Sequence, residues 1–225
     1  MDQGPQKNIE FESHVTTMPQ RLMIGSRNAK KVKEMKALIV PDWDRPEWAD
    51  DWAIVGLDQF SSDLEPEETG ETFAENARIK ASEFAKALGE WVLADDSGLT
   101  VDALGGQPGV YSARYAGRHG DDSANNAKIL EELAGVGPEH RGAAFVCQLA
   151  IADPSGAIRL EAAGQCRGRI IESLQGAQGF GYDPLFFIPE YHQTFGQLPA
   201  IVKHQLSHRC RAFEKLRRSI GKIVV

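Results

Sequence analysis

Long apolar runs are missing from this 225-residue sequence, and none approaches the roughly 20 residues that a helix needs to cross a bilayer. The first 20 residues are polar and contain no apolar stretch like the core of a signal peptide. From these two absences we expect a cytoplasmic protein that does not bind a membrane.

Cysteine is scarce as well. The three cysteines, Cys147, Cys166 and Cys210, are odd in number and far apart along the chain. This spacing argues against a disulfide framework and against a zinc site of the CxxC type. Cys147 lies on the apolar face of an alternating segment, and we therefore predict that it is a core residue.

A surplus of positive charge is also missing, because 25 Lys and Arg stand against 32 Asp and Glu, giving a net charge of −7. A protein that grips a nucleic-acid backbone usually presents a basic face, so we expect no nucleic-acid partner. A small anionic ligand is compatible with this composition, since a few lysines and arginines in a cleft create a local positive field.

The apolar pattern predicts a mixed α/β fold, with helices packed on a long twisted sheet. Residues 1–20 are aperiodic and are predicted to be a flexible N-terminal extension, and residues 21–225 to form the folded domain. Thr72 and Glu75 form a capping box that begins one helix, and Gly89 ends it. The other predicted elements are strands at 21–25, 53–57, 91–94 and 143–152, the last in a hairpin with 157–166, and helices at about 32–39, 123–135 and 208–220.

Two segments break this pattern. Residues 41–52 contain two prolines, three tryptophans and many acids, and we predict a surface loop. A lid or a contact surface formed by its tryptophans is the alternative. The strand at 91–94 is predicted to stop abruptly at Asp95.

The first candidate site is the segment from Ser26 to Lys31, which follows a strand and opens a helix. Free backbone N–H groups and the helix dipole favour an anion at such a position, and the side chains add further donors. The glycines of a Walker loop are missing. The alternative is that Ser26 or Asn28 caps the helix and the lysines are solvated.

The second candidate is Asp95-Asp96-Ser97-Gly98, directly after an apolar strand. Open α/β sheets bind ligands at the carboxyl ends of their strands. Neighbouring buried carboxylates repel each other and need a cation or a shared proton, and Mg²⁺ prefers such hard oxygen ligands. The alternative is a turn with two solvated acids.

The third candidate is the acidic run from Glu65 to Glu71, ahead of the capped helix. Such runs are usually solvated, or favourable near a helix N-terminus. The alternative is that one carboxylate of the run completes a metal site with Asp96.

The fourth and fifth candidates lie near the end of the chain. Residues 179–187 place glycines beside Phe180, Tyr182 and Asp183, which suits a loop where a flat base stacks on an aromatic ring. The alternative is that both aromatics are core residues.

Lys203 and the segment Ser207-His208-Arg209 offer donors for a phosphate or a purine carbonyl, whereas His208 alone is more often a structural histidine.

Taken together and in order, these motifs resemble the inosine/xanthosine triphosphate pyrophosphatase family. SRNAKK is similar to the TxNxxK element of that family, with Ser26 in place of the usual Thr. The segments EETGETFAENARIKA, ADDSGLTVDALGGQPGVYSARYAG, AQGFGYDPLFF and KHQLSHR then match in the same order. The resemblance covers about residues 21–218.

The resemblance implies an elongated central mixed sheet flanked by helices, two lobes with a nucleotide cleft between them, a homodimer and Mg²⁺ as cofactor. It implies that Asp96 is the catalytic acid, and that Glu67 and Asp96 are linked to the metal, with Glu68 as the alternative to Glu67. The residues implied to bind substrate are Ser26, Arg27, Asn28, Ala29, Lys30, Lys31, Ser97, Phe180, Gly181, Tyr182, Asp183, Lys203, His208 and Arg209.

The implied reaction is attack of water on the α-phosphorus of ITP, dITP or XTP, which releases pyrophosphate and leaves the nucleoside monophosphate. A donor-rich pocket would accept the 6-oxo group of these purines and leave donors unpaired against adenine. Two alternatives are a pyrophosphatase for other modified nucleotides and a non-hydrolytic nucleotide-sensing module.

Overall fold

The computed structural model describes residues 19–57 and 64–223. The predicted extension 1–20 therefore lies almost entirely outside the described residues, although Gln20 already belongs to the first strand. Within the described ranges, no helix is long and apolar enough to cross a membrane.

The centre of the molecule is one mixed sheet of seven strands, which confirms the predicted α/β class. The strands are ordered β2-β1-β3-β4-β5-β6-β7. The β2-β1-β3 part is parallel, and every later pair is antiparallel. The bounds are β1 Gln20–Ile24, β2 Trp52–Gly56, β3 Trp91–Val101, β4 Gly142–Ala152, β5 Ile158–Ile170, β6 Phe186–Ile188 and β7 Gln193–Thr194.

The third strand corrects the prediction that it stops at Asp95. The strand runs on to Val101, and Asp95 and Asp96 pair with Leu149 and Gln148 of β4 in the antiparallel ladder. Two adjacent acids can stay in a buried strand here because each one contacts a cation, as described below. We expected β3 to end at Asp95 and a ligand to bind at that end. Asp95 instead lies in the middle of a long strand.

In the described ranges, five α-helices flank the sheet, and side chains cap four of them. Asn28, Thr72, Asp121 and Ser207 each accept a hydrogen bond from the first turn of the helix that follows. The capping box of Thr72 and Glu75 is confirmed. The bounds are α1 Ala29–Ile39, α2 Phe73–Leu88, α3 Asp122–Glu132, α4 Ala200–Leu206 and α5 His208–Ile220.

Two helix predictions differ from the structure. The third helix ends at Glu132 rather than at 135, and turns follow it. The sequence analysis did not predict α4, because this helix is only seven residues long and has no fully buried residue, so it lacks the apolar periodicity that a longer helix shows.

The core lies on both faces of the sheet. One apolar cluster joins the sheet to α1 and α5 and contains Leu93 and Cys147, which confirms the core assignment of Cys147. A second cluster joins the opposite face to α2 and contains Val92 and Ala94. A third lies around β6, β7 and α3. Successive residues of β3 therefore alternate between the α1–α5 face and the α2 face.

The segment 41–52 is only partly the surface loop that we predicted. It contains a 3-10 helix at Glu47–Asp50, and Trp52 begins β2 and is buried in the core. Trp48 donates a hydrogen bond from its indole to the carbonyl of Arg217, 3.1 Å away. Trp43 remains exposed, with its ring centroid 6.3 Å from that of His204. Two of the three tryptophans thus attach the segment to the body of the protein.

A glycine on β5 sets how closely α5 approaches the sheet. A Cβ atom at Gly164 would lie 2.1 Å from the carbonyl oxygen of His208 and 2.4 Å from the backbone nitrogen of Ala212. The first turn of α5 therefore contacts the bare backbone of β5. This contact fixes the position from which His208 and Arg209 extend.

The β4–β5 hairpin turns at Asp153, whose carboxylate organises the turn. It accepts hydrogen bonds from the N–H and hydroxyl of Ser155 at 2.8 and 2.6 Å, and from Arg159 at 2.6 Å. These bonds, with that of Ser155 first, lower the pKa of Asp153 from its ordinary 3.8 to about 2.

We expect Asp153→Asn to be less stable than the wild type at pH 7, because the charged form of this carboxylate is favoured in the folded state. A lowered pKa contributes stability that is present above the ordinary value and is lost as the pH falls through the folded value. The difference in free energy of unfolding should therefore shrink between about pH 4 and about pH 2. Urea denaturation at several pH values measures it.

The matched control for that experiment is Asp42→Asn, since Asp42 is exposed and makes no hydrogen bond or ion pair with any residue in 19–57 or 64–223. It should match the wild type at every pH. A difference for Asp153→Asn that stays constant down to pH 2 would contradict the assignment.

Candidate functional site

A cavity of about 910 Å³ opens over the middle of β3. Its wall combines the β1–α1 connection, the acidic run before α2, the start of α5 and the loop after β5. The lining includes Ser26, Arg27, Asn28, Lys31, Glu67, Glu68, Lys80, Asp95, Ser97, Phe180, Gly181, Tyr182, Asp183, Lys203, His208 and Arg209. Most of the residues predicted for the site are therefore brought together, whereas Ala29, Lys30 and Asp96 are not in the lining. Asp96 lies behind the wall, where its carboxylate contacts the lining residue Lys80 at 3.0 Å.

The start of α1 forms one end of this cavity. The side-chain oxygen of Asn28 accepts from the backbone N–H groups of Lys30 and Lys31 at 3.0 and 3.2 Å, so Asn28 is the helix cap. The hydroxyl of Ser26 accepts from the N–H of Asn28 at 3.3 Å. The side chain of Lys31 reaches inward, where its Nζ lies 3.4 Å from Asp95. The positive end of the helix and one ammonium group thus meet at the cavity wall.

Asp95 is buried and faces α1 and α5. Its carboxylate accepts a hydrogen bond from Ser97 at 3.1 Å and lies 3.4 Å from Lys31 and 3.9 Å from Arg209. Burial raises the pKa of this carboxyl, but the charges of Lys31 and Arg209 outweigh burial and bring the pKa well below its usual range. Asp95 is therefore an anion at neutral pH and neutralises two cations.

Asp96 faces the other side of the strand, toward α2. Its carboxylate accepts hydrogen bonds from Lys80 at 3.0 Å and from the side-chain amide of Asn76 at 3.3 Å. Lys80 also donates to Glu68 at 2.8 Å. Burial raises the pKa of Asp96 above its ordinary value; Lys80 opposes this shift, and the charge of Glu68 adds to it. Asp96 therefore holds its proton more readily than Asp95 does.

Lys80 and Glu34 are site residues that sequence reasoning missed. Lys80 lies within α2, four residues after Asn76, so both side chains point from the same face of the helix toward Asp96. A lysine on an otherwise apolar inward face, between Ala77 and Ala81, was the available signal. Glu34 lies on α1 and forms an ion pair with Arg209 at 3.1 Å.

Two carboxylates contact the same ammonium group, and they are the candidate ligands for a divalent cation. Glu68 and Asp96 both contact the ammonium of Lys80, whereas Glu67 is exposed. Among the described residues, no group of three or more His, Cys, Asp and Glu side chains could hold a metal ion. Glu68 and Asp96 are nevertheless the kind of donors that Mg²⁺ uses, since it commonly binds through one or two carboxylates and completes its shell with water and substrate phosphates.

The other end of the cavity is formed by the loop around Phe180. Phe180 is 47% exposed, and its ring lies 5.2 Å from Nζ of Lys203 and 5.6 Å from Cζ of Arg209. Asp183 accepts from the N–H of Phe180 at 2.8 Å and forms an ion pair with Lys203. Tyr182, by contrast, is buried, and its hydroxyl donates to the carbonyl of Ser112 at 2.8 Å. Phe180 thus offers a ring face, whereas Tyr182 packs in the core.

His208 lies beneath this loop as a neutral ring. It is buried and stacks on Phe145 with centroids 5.1 Å apart. Burial and the charge of Arg209 bring its pKa well below 6.5. Its Nδ1 has no hydrogen-bond partner among the residues that the structure describes. His208 thus has the structural role that a lone histidine suggests, and it lines the cavity while its Nδ1 stays buried.

We expect Lys80→Met to lower the free energy of unfolding by about 3 kcal/mol, because removing one partner of a buried ion pair leaves the other charges uncompensated. Lys80→Arg keeps the charge and should lose less. The matched control is Arg78→Met on the same helix, where the ion pair with Glu161 is half exposed and contributes less than about 1 kcal/mol. Equal losses for Lys80→Met and Arg78→Met in urea denaturation would show that Lys80 does not neutralise the acids.

Comparison with known proteins places this chain in a family. A dITP/XTP pyrophosphatase of Rhodopirellula baltica is 53% identical over 191 residues, which are 85% of this chain and 88% of that protein. A dITP/XTP pyrophosphatase of Desulforamulus reducens is 46% identical over 205 residues, covering 91% of this chain and 98% of that protein.

Solved structures agree with these relatives. The Ham1 protein of Staphylococcus aureus superposes with a TM-score of 0.79 at 37% identity, covering 90% of this chain and 99% of that one. A dITP/XTP pyrophosphatase of Mycobacterium abscessus superposes with a TM-score of 0.72 at 40% identity, covering 88% and 98%. The sequence pattern of the Ham1 family matches residues 22–219. This chain therefore belongs to the Ham1 family.

Proposed function

We propose that this protein hydrolyses non-canonical purine nucleoside triphosphates, namely ITP, dITP and XTP, to the nucleoside monophosphate and pyrophosphate. The observation that carries the proposal is a single cavity with a cationic helix start at one end and a ring with two cations at the other. A nucleotide has the matching polarity, with phosphates at one end and a flat base at the other. The relatives named dITP/XTP pyrophosphatase support the same activity.

The triphosphate would lie at the start of α1. Backbone N–H groups at a helix N-terminus favour anions, and Lys31 adds a full positive charge. The ion pair with Asp95, at 3.4 Å, positions the Lys31 side chain at the cavity wall. Ser26, Arg27 and Asn28 line the same wall, whereas Ala29 and Lys30 do not, and the backbone N–H of Lys30 already donates to Asn28. Ala29 and Lys30 would therefore contribute only as part of the first turn of the helix, through its dipole.

Glu68 and Asp96 would hold Mg²⁺, with Glu68 replacing Glu67 as the second carboxylate because Glu68 contacts the Asp96–Lys80 pair. When bound, Mg²⁺ neutralises charge that develops on the phosphate oxygens. Lys80 remains beside both carboxylates and limits their mutual repulsion.

Asp96 would orient the attacking water and accept its proton. The water oxygen forms a bond to the α-phosphorus, and the bond between that phosphorus and the bridging oxygen to the β-phosphorus breaks. Pyrophosphate then leaves with the bridging oxygen. The amide of Asn76 and the ammonium of Lys80 fix the orientation of the Asp96 carboxylate. The lone pairs that these bonds leave free therefore point in a fixed direction.

The base would stack on Phe180, with its 6-oxo group facing Lys203 and Arg209. Both of these side chains are donors only, and a carbonyl oxygen is an acceptor. The 6-amino group of adenine would leave the donors unpaired, at about 1–3 kcal/mol for each one. His208 is neutral and can both donate to and accept from the base edge.

The assembly and location of the protein are part of the same proposal. We propose a homodimer that acts in the cytoplasm on free nucleotides, without a nucleic-acid or membrane partner. The net charge of −7 supports the last point, because it disfavours attachment to polyanions.

We expect Asp96→Asn to lower kcat for ITP by at least about 100-fold, since it removes the proton acceptor and keeps the side-chain volume. Wild-type hydrolysis should yield inosine monophosphate and pyrophosphate, which chromatography separates from the diphosphate and inorganic phosphate. The control is Glu161→Gln, an exposed acid on β5 outside the cavity, which should retain wild-type kcat. Near wild-type turnover by correctly folded Asp96→Asn would overturn the assignment.

A further inference from the structure

The backbone of the Phe180 loop is held from α3, a helix that otherwise lies outside the site. The N–H of Gly181 donates to the carboxylate of Asp122 at 2.7 Å. The carbonyl of Gly181 accepts from the side-chain amide of Asn126 at 2.8 Å. Both backbone groups of one loop residue are therefore bound by side chains from one helix.

Within α3, the side chain of Asn126 also contacts the backbone of Asp122. The amide of Asn126 donates a second hydrogen bond, at 2.8 Å, to the backbone carbonyl of Asp122. Asn126 is 5% exposed, so its rotamer is fixed by packing as well as by these bonds. Asp122 lies at the cavity wall, where it is exposed. The pair therefore presents a preformed acceptor and donor to Gly181.

The loop itself needs such external bonds. Gly179 and Gly181 have φ values of +83° and +61°, a region in which glycine loses much conformational freedom on ordering. Phe180 lies between them and is half exposed, so core packing does not fix its ring. Beyond the loop, Tyr182 is tied to Ser112 through its hydroxyl. The bonds from α3 to Gly181, together with the bond from the Phe180 N–H to Asp183, thus hold the backbone that carries the Phe180 ring.

We propose that Asp122 and Asn126 are positioning residues for base recognition, which hold the Gly181 backbone and thereby the ring of Phe180 at the mouth of the cavity. This inference rests on the proposed function, because it assigns the Phe180 ring to the base. Asp122 and Asn126 affect binding of the base, whereas residues of α1 and β3 act on the phosphates.

The kinetic test compares Asp122→Ala with Asp122→Asn, which keeps an acceptor for the Gly181 N–H. For Asp122→Ala, KM for ITP should rise about tenfold, which corresponds to about 1.4 kcal/mol, while kcat changes by less than about twofold. Asp122→Asn should restore most of the affinity. Ser123→Ala, an exposed neighbour in the same helical turn, is the matched control and should behave as the wild type.

Inhibition by inorganic tripolyphosphate separates positioning from general damage to the fold. This probe has no base, so its inhibition constant should be the same for the wild type and for Asp122→Ala. A tripolyphosphate constant that rises in step with KM for ITP would overturn the proposal, as would an unchanged KM.

Hydrogen–deuterium exchange tests the hold on the loop without relying on activity. The segment 179–183 should exchange faster in Asp122→Ala than in the wild type and in Ser123→Ala. Equal exchange would overturn the proposal even if the wild type hydrolyses ITP. If the wild type releases no pyrophosphate and the segment still exchanges faster, the proposed function fails and the hold on the loop stands.

Discussion

Two adjacent carboxylates in a buried strand are the constraint on which the rest of the site depends. Asp95 and Asp96 cannot both be charged in a low-dielectric interior unless each contacts its own cation. A strand sends successive side chains to opposite faces, so one acid meets Lys31 and Arg209 and the other meets Lys80. Neither carboxylate has to share a partner with the other.

Because the two acids face opposite sides of the sheet, three helices around β3 supply their partners. The α1 and α5 helices bring Lys31 and Arg209 to one face, where Glu34 also pairs with Arg209, and α2 brings Asn76 and Lys80 to the other. The two acids also differ in pKa, since that of Asp95 is lowered by Lys31 and Arg209 and that of Asp96 is raised by burial. One acid is thereby suited to hold cations in place, and the other to exchange a proton.

Local sequence patterns predicted most of the fold, because capping and apolar periodicity act over a few residues. The α2 helix begins and ends where Thr72 and Gly89 indicate. The extent of β3 could not be predicted in this way. Asp95 and Asp96 read as a break in an apolar strand, and only the cations supplied by distant helices allow the strand to continue through them.

The sequence predicted only part of the site, again because local patterns do not show contacts between distant residues. Motifs that are contiguous in sequence, such as the start of α1 and the Phe180 loop, line the cavity as expected. Lys80 and Glu34 were missed because each is a single charged residue within a helix, and its role depends on a partner far along the chain. Asp122 and Asn126 are of the same kind, since their contact with Gly181 spans more than 50 residues.

The central claim is that this protein hydrolyses the non-canonical purine nucleotides ITP, dITP and XTP with a divalent cation. Pyrophosphate release from ITP, dITP, XTP, GTP and ATP, measured with Mg²⁺ and then with EDTA, tests it most directly. The account predicts metal-dependent release that strongly favours the first three nucleotides. A preference for ATP, or no release from any of them by the folded protein, would contradict it.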